Sequence, residues 1–158
     1  MRIILIGCGV QQRPCGPHPA NDLWRDPIFA ARREYAEAAI ESTAVAYFII
    51  TPDGGLLSPN VKVRPSSIIT PMQSMTALER VEWRCRIIRQ LIERVDIEDL
   101  FDDASLRDVL IEIHAGHEFA AKLADVLRAN GFAVKWPVEH CLTVGHQLKW
   151  YRDAKQAL

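Results

Sequence analysis

The sequence lacks the features that place a protein in a membrane or bind it to nucleic acid by charge alone. No apolar run approaches the ~20 residues that a membrane-spanning helix needs, and the run at 44–50 is only seven residues long. Lysine and arginine total 19 against 20 aspartates and glutamates, so the formal charge is −1. Near-neutral charge excludes an all-over basic surface but leaves room for a local basic patch. We therefore expect no membrane partner.

Cysteine is scarce and scattered. The four cysteines, Cys8, Cys15, Cys85 and Cys141, lie far apart, and the apolar run after Met1 ends at Gly7, which is too short for a secretory leader. These features favour reduced thiols and a cytoplasmic location over a disulfide framework. The nearest metal-type pairs are Cys15-x-x-His18 and His114-x-x-His117, which do not match the tight spacing of zinc sites. The sequence therefore predicts no metal and no other cofactor.

Short apolar runs alternate with longer segments of helical period, a pattern typical of buried parallel strands joined by crossover helices. At 158 residues, with 49% hydrophobic and 25% charged residues, the chain has the size and composition of one globular domain. We expect a single three-layer α/β domain over residues 1–158, with a mostly parallel sheet of at least four strands and helices on both faces. The predicted strands are 3–6, 45–50, 109–114 and 132–136. The predicted helices are 27–40, 76–95, 117–129 and 145 to the C-terminus.

Two apolar rows run along the predicted second helix. We expect one row to pack on the sheet; it consists of Val81, Cys85, Ile88, Ile92 and Val95. The other row, Trp83, Ile87 and Leu91, needs further cover, either from the segment 51–70 or from a second copy of the chain. Arg80 and Arg84 flank this row, and arginine is enriched at the rims of interfaces. This arrangement favours a homodimer through the helix around Trp83, Ile87 and Leu91.

The carboxyl ends of parallel strands share one edge, where ligands of open α/β sheets bind. The segments 7–25, 51–70, 115–117 and 137–144 should therefore be neighbours. The first two are unusually long and hold most of the proline and glycine, as functional or mobile loops do. We expect the functional site at this edge.

Gly7-Cys8-Gly9 follows the first predicted strand. Such glycines let backbone N–H groups approach a phosphate, or merely let the chain leave a buried strand. The third glycine of a dinucleotide fingerprint and a Gly-Lys-Ser/Thr sequence are both absent. Two interpretations stay open for Cys8: a nucleophile activated by a nearby histidine, or a small buried side chain that fills space.

Polar candidates complete the predicted site. Asp22 has no local structural explanation and is the preferred catalytic carboxylate, with His114 or His117 as the proton donor. Asp53 lies in Thr51-Pro52-Asp53-Gly54-Gly55, which is typical of an ordinary turn. We retain Asp53 as a ligand-binding candidate, together with Arg64 as an anion partner and Gly116 before the third helix.

Motifs along nearly the whole chain carry a resemblance to a known family. They include Gly7-Cys8-Gly9, Pro19-Ala20-Asn21-Asp22-Leu23-Trp24, Tyr35-Ala36-Glu37, Gly55-Leu56-Leu57-Ser58-Pro59 and the closing segment from Gly145 to Trp150. In this order they resemble the G-C-G, P-A-x-D-L-Y, Y-A-E, Y-G-L-L-x-P and G-x-Q-L-x-W motifs of an uncharacterised bacterial and phage domain family. The Leu-Leu-x-Pro segment is also similar to one in the peroxide-stress protein YaaA, which belongs to a DNA-associated α/β family.

The chain departs from that family where the family carries charged or aromatic groups. Val10 and Gln12 replace lysines, Asp53-Gly54 replaces Lys-Tyr, and Ser66-Ser67 replaces Tyr-Asp. These changes remove groups that would hold phosphate or stack on a base. Such substitutions are typical of a divergent or catalytically degraded member of the family.

The resemblance implies a nucleic-acid or nucleobase/nucleotide-directed binding domain. One alternative is a nucleoside-processing enzyme of the N-glycosidase or deoxyribosyltransferase type, in which Asp22 assists attack at the sugar and His114 or His117 protonates the leaving base. A second alternative is a small-ligand-binding protein that keeps the fold and has lost the chemistry.

Overall fold

The computed structural model describes residues 1–42, 44, 46–66, 71–97 and 106–158. In chain order, the elements are β1 (Arg2–Gly7), β2 (His18–Pro19), α1 (Ala20–Leu23), α2 (Pro27–Ser42), β3 (Ala46–Thr51), β4 (Gly55–Leu57), β5 (Lys62–Val63), α3 (Ala77–Ile97), β6 (Leu110–His114), α4 (His117–Ala129), β7 (Ala133–Lys135) and α5 (Val144–Gln156). Short 3₁₀ turns lie at Met72–Ser74 and Leu106–Asp108.

A five-stranded sheet with the order β4-β3-β1-β6-β7 forms the centre of the protein. Strands β3 and β6 lie on either side of β1 and run parallel to it, and β7 runs parallel to β6. At the opposite edge β4 returns antiparallel to β3. The predicted α/β class, the mostly parallel sheet and all four predicted strands are confirmed. The fifth strand, β4, lies inside a segment that the sequence predicted to be a loop.

Helices cover both faces of the sheet, as predicted. α2 and α5 pack together over one face, while α3 and α4 cover the other. A capping box precedes α3: Glu79 N donates to Thr76 Oγ1 at 3.2 Å, and Thr76 N donates to Glu79 Oε2 at 2.6 Å. Among the helices that the structure describes, none is long and apolar enough to span a membrane.

The prediction of which face of α3 packs on the sheet was only partly right, because Ile88 of the predicted row is buried in the core but Cys85 is exposed. Trp83 is 2% exposed, and Ile87 and Leu91 are fully buried in the core, whereas Val81 is 47% exposed. The periodicity offered two adjacent rows, and the row containing the large indole covers more of the sheet. The indole also donates from Nε1 to Thr51 O at 2.8 Å. The core of the same chain therefore covers the row on which the predicted homodimer rested, and that argument for a dimer fails.

The two long segments at the carboxyl edge carry structure of their own. In the first, β2 and α1 form, and Gln12 makes an isolated bridge to Trp24. In the second, β5 pairs antiparallel with β2, and Ala20 N donates to Val61 O at 2.9 Å. The two segments therefore hold each other over the end of the sheet. Residues 67–70, at the end of the second, lie outside the described residues.

Candidate functional site

A groove of about 510 Å³ opens between the two long segments at the carboxyl ends of β1 and β3. Its lining combines apolar side chains with polar and charged ones. The lining residues are Gln12, Leu23, Trp24, Thr51, Asp53, Gly54, Leu57, Val63, Arg64 and Ser66. This is the edge at which ligands of open α/β sheets bind, so the predicted position of the site is occupied by a cavity.

The first wall of the groove is fixed by Asp26. Its Oδ2 accepts hydrogen bonds from Val10 N at 2.8 Å and Gln11 N at 3.0 Å, while its carbonyl accepts from Ala30 N in the first turn of α2. The carboxylate therefore holds the segment after β1 and does not cap the helix. It lies so close to Gly9 that a Cβ there would clash. Only glycine fits this close approach, which explains the second glycine of the Gly7-Cys8-Gly9 sequence.

The second wall is fixed by the turn after β3. Thr51 Oγ1 accepts from Gly54 N at 3.0 Å, and Arg86 Nη1 donates to Asp53 O at 2.8 Å. Asp53 occupies the turn that the sequence predicted, with its backbone held and its side chain exposed at the groove. Across the groove Gln12 Oε1 accepts from Ser66 N at 2.9 Å, which ties the two walls together. Both walls are thus positioned without a ligand.

Two charged side chains, Asp53 and Arg64, line the groove, and both are exposed. Neither forms an ion pair with any residue that the structure describes, although they share one cavity. Arg64 also lines an adjoining cavity of about 160 Å³ beside Cys15 and Gly16. The groove therefore offers one cation and one anion to a ligand, above an apolar floor.

The predicted catalytic carboxylate, Asp22, is not among the groove's lining residues. It lies on α1 with its side chain 50% exposed, and its Oδ1 pairs with Arg33 Nη1 at 3.2 Å. Of the predicted residues, the groove brings together Asp53 and Arg64. The catalytic role of Asp22 stays a prediction.

The predicted proton donor His114 lies in a buried polar network between the sheet and α2. The side chain has no exposed surface; its Nε2 lies 2.8 Å from Glu112 Oε1 and its Nδ1 3.1 Å from Tyr151 Oη. A neutral ring that donates from Nε2 and accepts at Nδ1 satisfies both contacts. Burial lowers the pKa of His114, against the opposing effect of Glu112. His114 lines none of the cavities described for this part of the chain.

The same network holds Glu112, which the sequence analysis did not single out. Glu112 is 1% exposed and accepts from Arg2 Nε at 3.1 Å and from Tyr35 Oη at 2.9 Å. Arg2 Nη2 in turn donates to Tyr35 Oη at 2.7 Å. The available signal was the pair of polar residues at alternating positions of an otherwise apolar strand, which places both on one face of the sheet.

The remaining candidates lie near the end of β1 and the start of α4. His117 is exposed, with its ring 5.4 Å from that of Trp136, and Gly116 precedes α4 without a side-chain cap. Gly7 is buried against Ala115. Burial raises the pKa of Cys8 to about 12, which Arg32 only partly offsets, so its thiol is protonated at neutral pH. That favours a space-filling role over a nucleophilic one.

In the described part of the chain, no group of three or more histidine, cysteine, aspartate or glutamate residues could hold a metal ion.

The chain matches the model of a family described as a family of unknown function, DUF6884, over residues 3–153. This match includes both walls of the groove and the buried network around Glu112. No curated protein and no solved structure matches the chain.

Proposed function

The chain belongs to the family of unknown function DUF6884, and we propose from its geometry that it binds a nucleotide in the groove, either free or as part of a nucleic-acid strand. The observation that carries this proposal is that Asp53 and Arg64 share one preorganised cavity and form no ion pair with the residues that the structure describes. A nucleotide offers a flat ring, hydrogen-bond donors on the base edge and a phosphate, which match the floor and both charges of this groove.

Each group has a distinct role in this proposal. Arg64 donates to the phosphate, because guanidinium groups bind phosphate oxygens with two parallel hydrogen bonds. Asp53 accepts from an exocyclic amino group of the base, as carboxylates do at nucleobase edges. Leu57 and Val63 provide apolar contact for the ring. The ligand class is thus a nucleotide whose base carries an amino group.

The sequence resemblance supports the same ligand class. The Gly55-to-Pro59 motif, which is similar to one in the DNA-associated protein YaaA, forms β4 and the chain after it, beside the groove. At the position where the resembling family carries lysine, this chain carries Asp53. A carboxylate suits a hydrogen-bond donor on a base better than it suits a phosphate. This substitution assigns the phosphate to Arg64.

We propose binding rather than catalysis. The nucleoside-processing alternative needs a carboxylate and an acid that converge on one ligand. Asp22 is paired with Arg33 outside the groove, His114 is fully buried, and the described lining includes no histidine. A binding domain is compatible with this arrangement.

Isothermal titration with nucleoside monophosphates and their parent nucleosides tests the proposal. Arg64→Ala should weaken binding of the monophosphate about tenfold or more, since a hydrogen bond to a charged group contributes about 1.5–3 kcal/mol, and should leave the nucleoside nearly unaffected. Asp53→Asn should weaken both. Arg89→Ala is the matched control, because Arg89 is exposed on α3 and does not line the groove. Equal affinities of Arg64→Ala and Arg89→Ala would contradict the proposal.

Fluorescence anisotropy with short single-stranded DNA and RNA separates a free nucleotide from a strand. If a strand is bound, the affinity should be weak and should fall steeply with salt, because few cations are available against a near-neutral background. Tighter binding of the oligonucleotide than of the mononucleotide identifies the strand as the ligand. Absence of binding to either ligand at low salt and high micromolar protein would overturn the proposed function.

A further inference from the structure

A second cavity lies away from the groove, beside the first turns of α5. It has a volume of about 380 Å³ and is lined by His140, Cys141, His146, Lys149, Trp150 and Asp153. Its carboxylate, Asp153, lies 3.5 Å from Arg152 Nε. Lys149 has no carboxylate partner among the described residues. The lining therefore favours an anion.

Helix α2, which packs against α5, carries a buried cation. Arg32 of α2 is 6% exposed, yet it forms no ion pair within the described part of the chain. Its Nη1 donates to Gly7 O at 3.4 Å and its Nη2 to Gln147 Oε1 at 3.2 Å, both long for such bonds. It also contacts the Tyr151 hydroxyl, and its buried Nε has no hydrogen-bond partner among the residues that the structure describes. An uncompensated buried charge is costly, so its presence needs a reason.

One side chain connects the buried cation with the cavity. Gln147 accepts from Arg32 through Oε1, and its Nε2 donates to the carbonyl of Cys141, which lines the cavity, at 3.2 Å. Gln147 thus links the guanidinium to a residue of the cavity lining.

We propose that this second cavity binds a phosphate-class oxyanion, which replaces Gln147 as the acceptor of Arg32 and pairs with Lys149. A phosphate oxygen carries the negative charge that the amide oxygen lacks, so the exchange supplies Arg32 with its missing counter-ion. The site is separate from the nucleotide groove and does not depend on Arg64. The ligand is an inorganic phosphate or a small phosphorylated molecule.

Nuclear magnetic resonance and calorimetry with inorganic phosphate, against chloride at equal ionic strength, test this site. Phosphate should shift the side-chain amide signal of Gln147. Arg32→Met should weaken phosphate binding about tenfold or more, and Lys149→Met by several-fold, since a charge-assisted hydrogen bond is lost in each. Arg89→Met, at an exposed residue that lines neither cavity, should bind phosphate as the unmodified chain does. A failure of the nucleotide groove would appear separately, as nucleotide binding that Arg64→Ala leaves unchanged.

Arg32→Met should also unfold at the same or a higher temperature without phosphate, because it removes an uncompensated buried charge. If that variant does not fold, Gln147→Ala decides: it should bind phosphate several-fold more tightly, because no acceptor has to be displaced. A stationary Gln147 signal, or phosphate binding that is unchanged in Lys149→Met and Gln147→Ala, would overturn the proposal. Pyrophosphate and a sugar phosphate, titrated in parallel, distinguish a free anion from a phosphorylated molecule.

Discussion

At the scale of single residues, the carboxylate of Glu112 organises the layer between α2 and the sheet. Burial alone would raise its pKa, but hydrogen bonds from His114, Arg2 and Tyr35 lower the pKa to about 2. Every oxygen and every donor in this group has a partner, which is the condition under which a buried polar network stabilises a fold. The network positions α2 over β1 and β6.

Tyr35→Phe should reduce the free energy of unfolding by about 1–3 kcal/mol, because the lost hydroxyl both accepts from Arg2 and donates to Glu112 in a buried site. Tyr47→Phe is the matched control. Its hydroxyl lies 3.4 Å from Glu37 Oε1 in a partly buried site, so its loss should cost less. Urea denaturation measures both. Equal costs for the two variants would show that the network contributes little.

Two groups of this network make stability depend on pH. His114 is held neutral in the folded state, so protonation of the unfolded chain below about pH 6.5 removes stability as the pH falls. Glu112 stays ionised to a pKa of about 2, so a further loss of roughly 3 kcal/mol occurs between about pH 4.3 and 2. Urea denaturation at a series of pH values measures the curve. Glu112→Gln should lack the second loss, whereas the exposed Glu34→Gln should retain it; an unchanged curve in Glu112→Gln would contradict this assignment.

At the scale of elements, α3 is fixed by the row that faces inward. Trp83, Ile87 and Leu91 fill the core beneath it. On the same helix Arg86 holds Asp53 O, and Gln90 Oε1 accepts from Leu56 N at 2.7 Å. The helix therefore supports one wall of the groove as well as the core.

Ile87→Ala should reduce the free energy of unfolding by about 2–5 kcal/mol, because it leaves a cavity in a fully buried site. Val81→Ala, half exposed on the same helix, should cost less than about 1 kcal/mol. Chemical denaturation compares the two. The reverse order would restore the face that the sequence predicted.

The sequence predicted the elements well because caps and hydrophobic period are local signals. Pro27 is the first residue of α2 and the Thr76–Glu79 capping box precedes α3, within one residue of the predicted starts of both helices. Which of two apolar rows faces inward depends on tertiary packing, which the period does not encode. Asp53 could be predicted because its turn is a local sequence pattern. The contacts of Glu112 could not, because its partner Arg2 lies 110 positions away in the chain. The alternating polar residues of β6 indicate that Glu112 and His114 share a face, but they carry no local signal of these long-range partners.

At the scale of the whole molecule, a near-neutral chain presents one positive and one negative side chain, Arg64 and Asp53, in a groove at one edge of the sheet. The two long segments there lock to each other through β2 and β5 and leave a groove in which Asp53 and Arg64 form no ion pair with the described residues. The fold thus presents a small, preorganised site. This architecture suits recognition of a single nucleotide better than non-specific binding along a duplex.

Backbone amide mapping of the isotopically labelled protein, titrated with a nucleoside monophosphate, tests the central claim most directly. We expect the largest shifts at Gln12, Gly54, Arg64 and Ser66, which line both walls of the groove, and their loss in Arg64→Ala but not in Arg89→Ala. Shifts confined to residues outside the groove, or no shifts at millimolar ligand, would contradict the account.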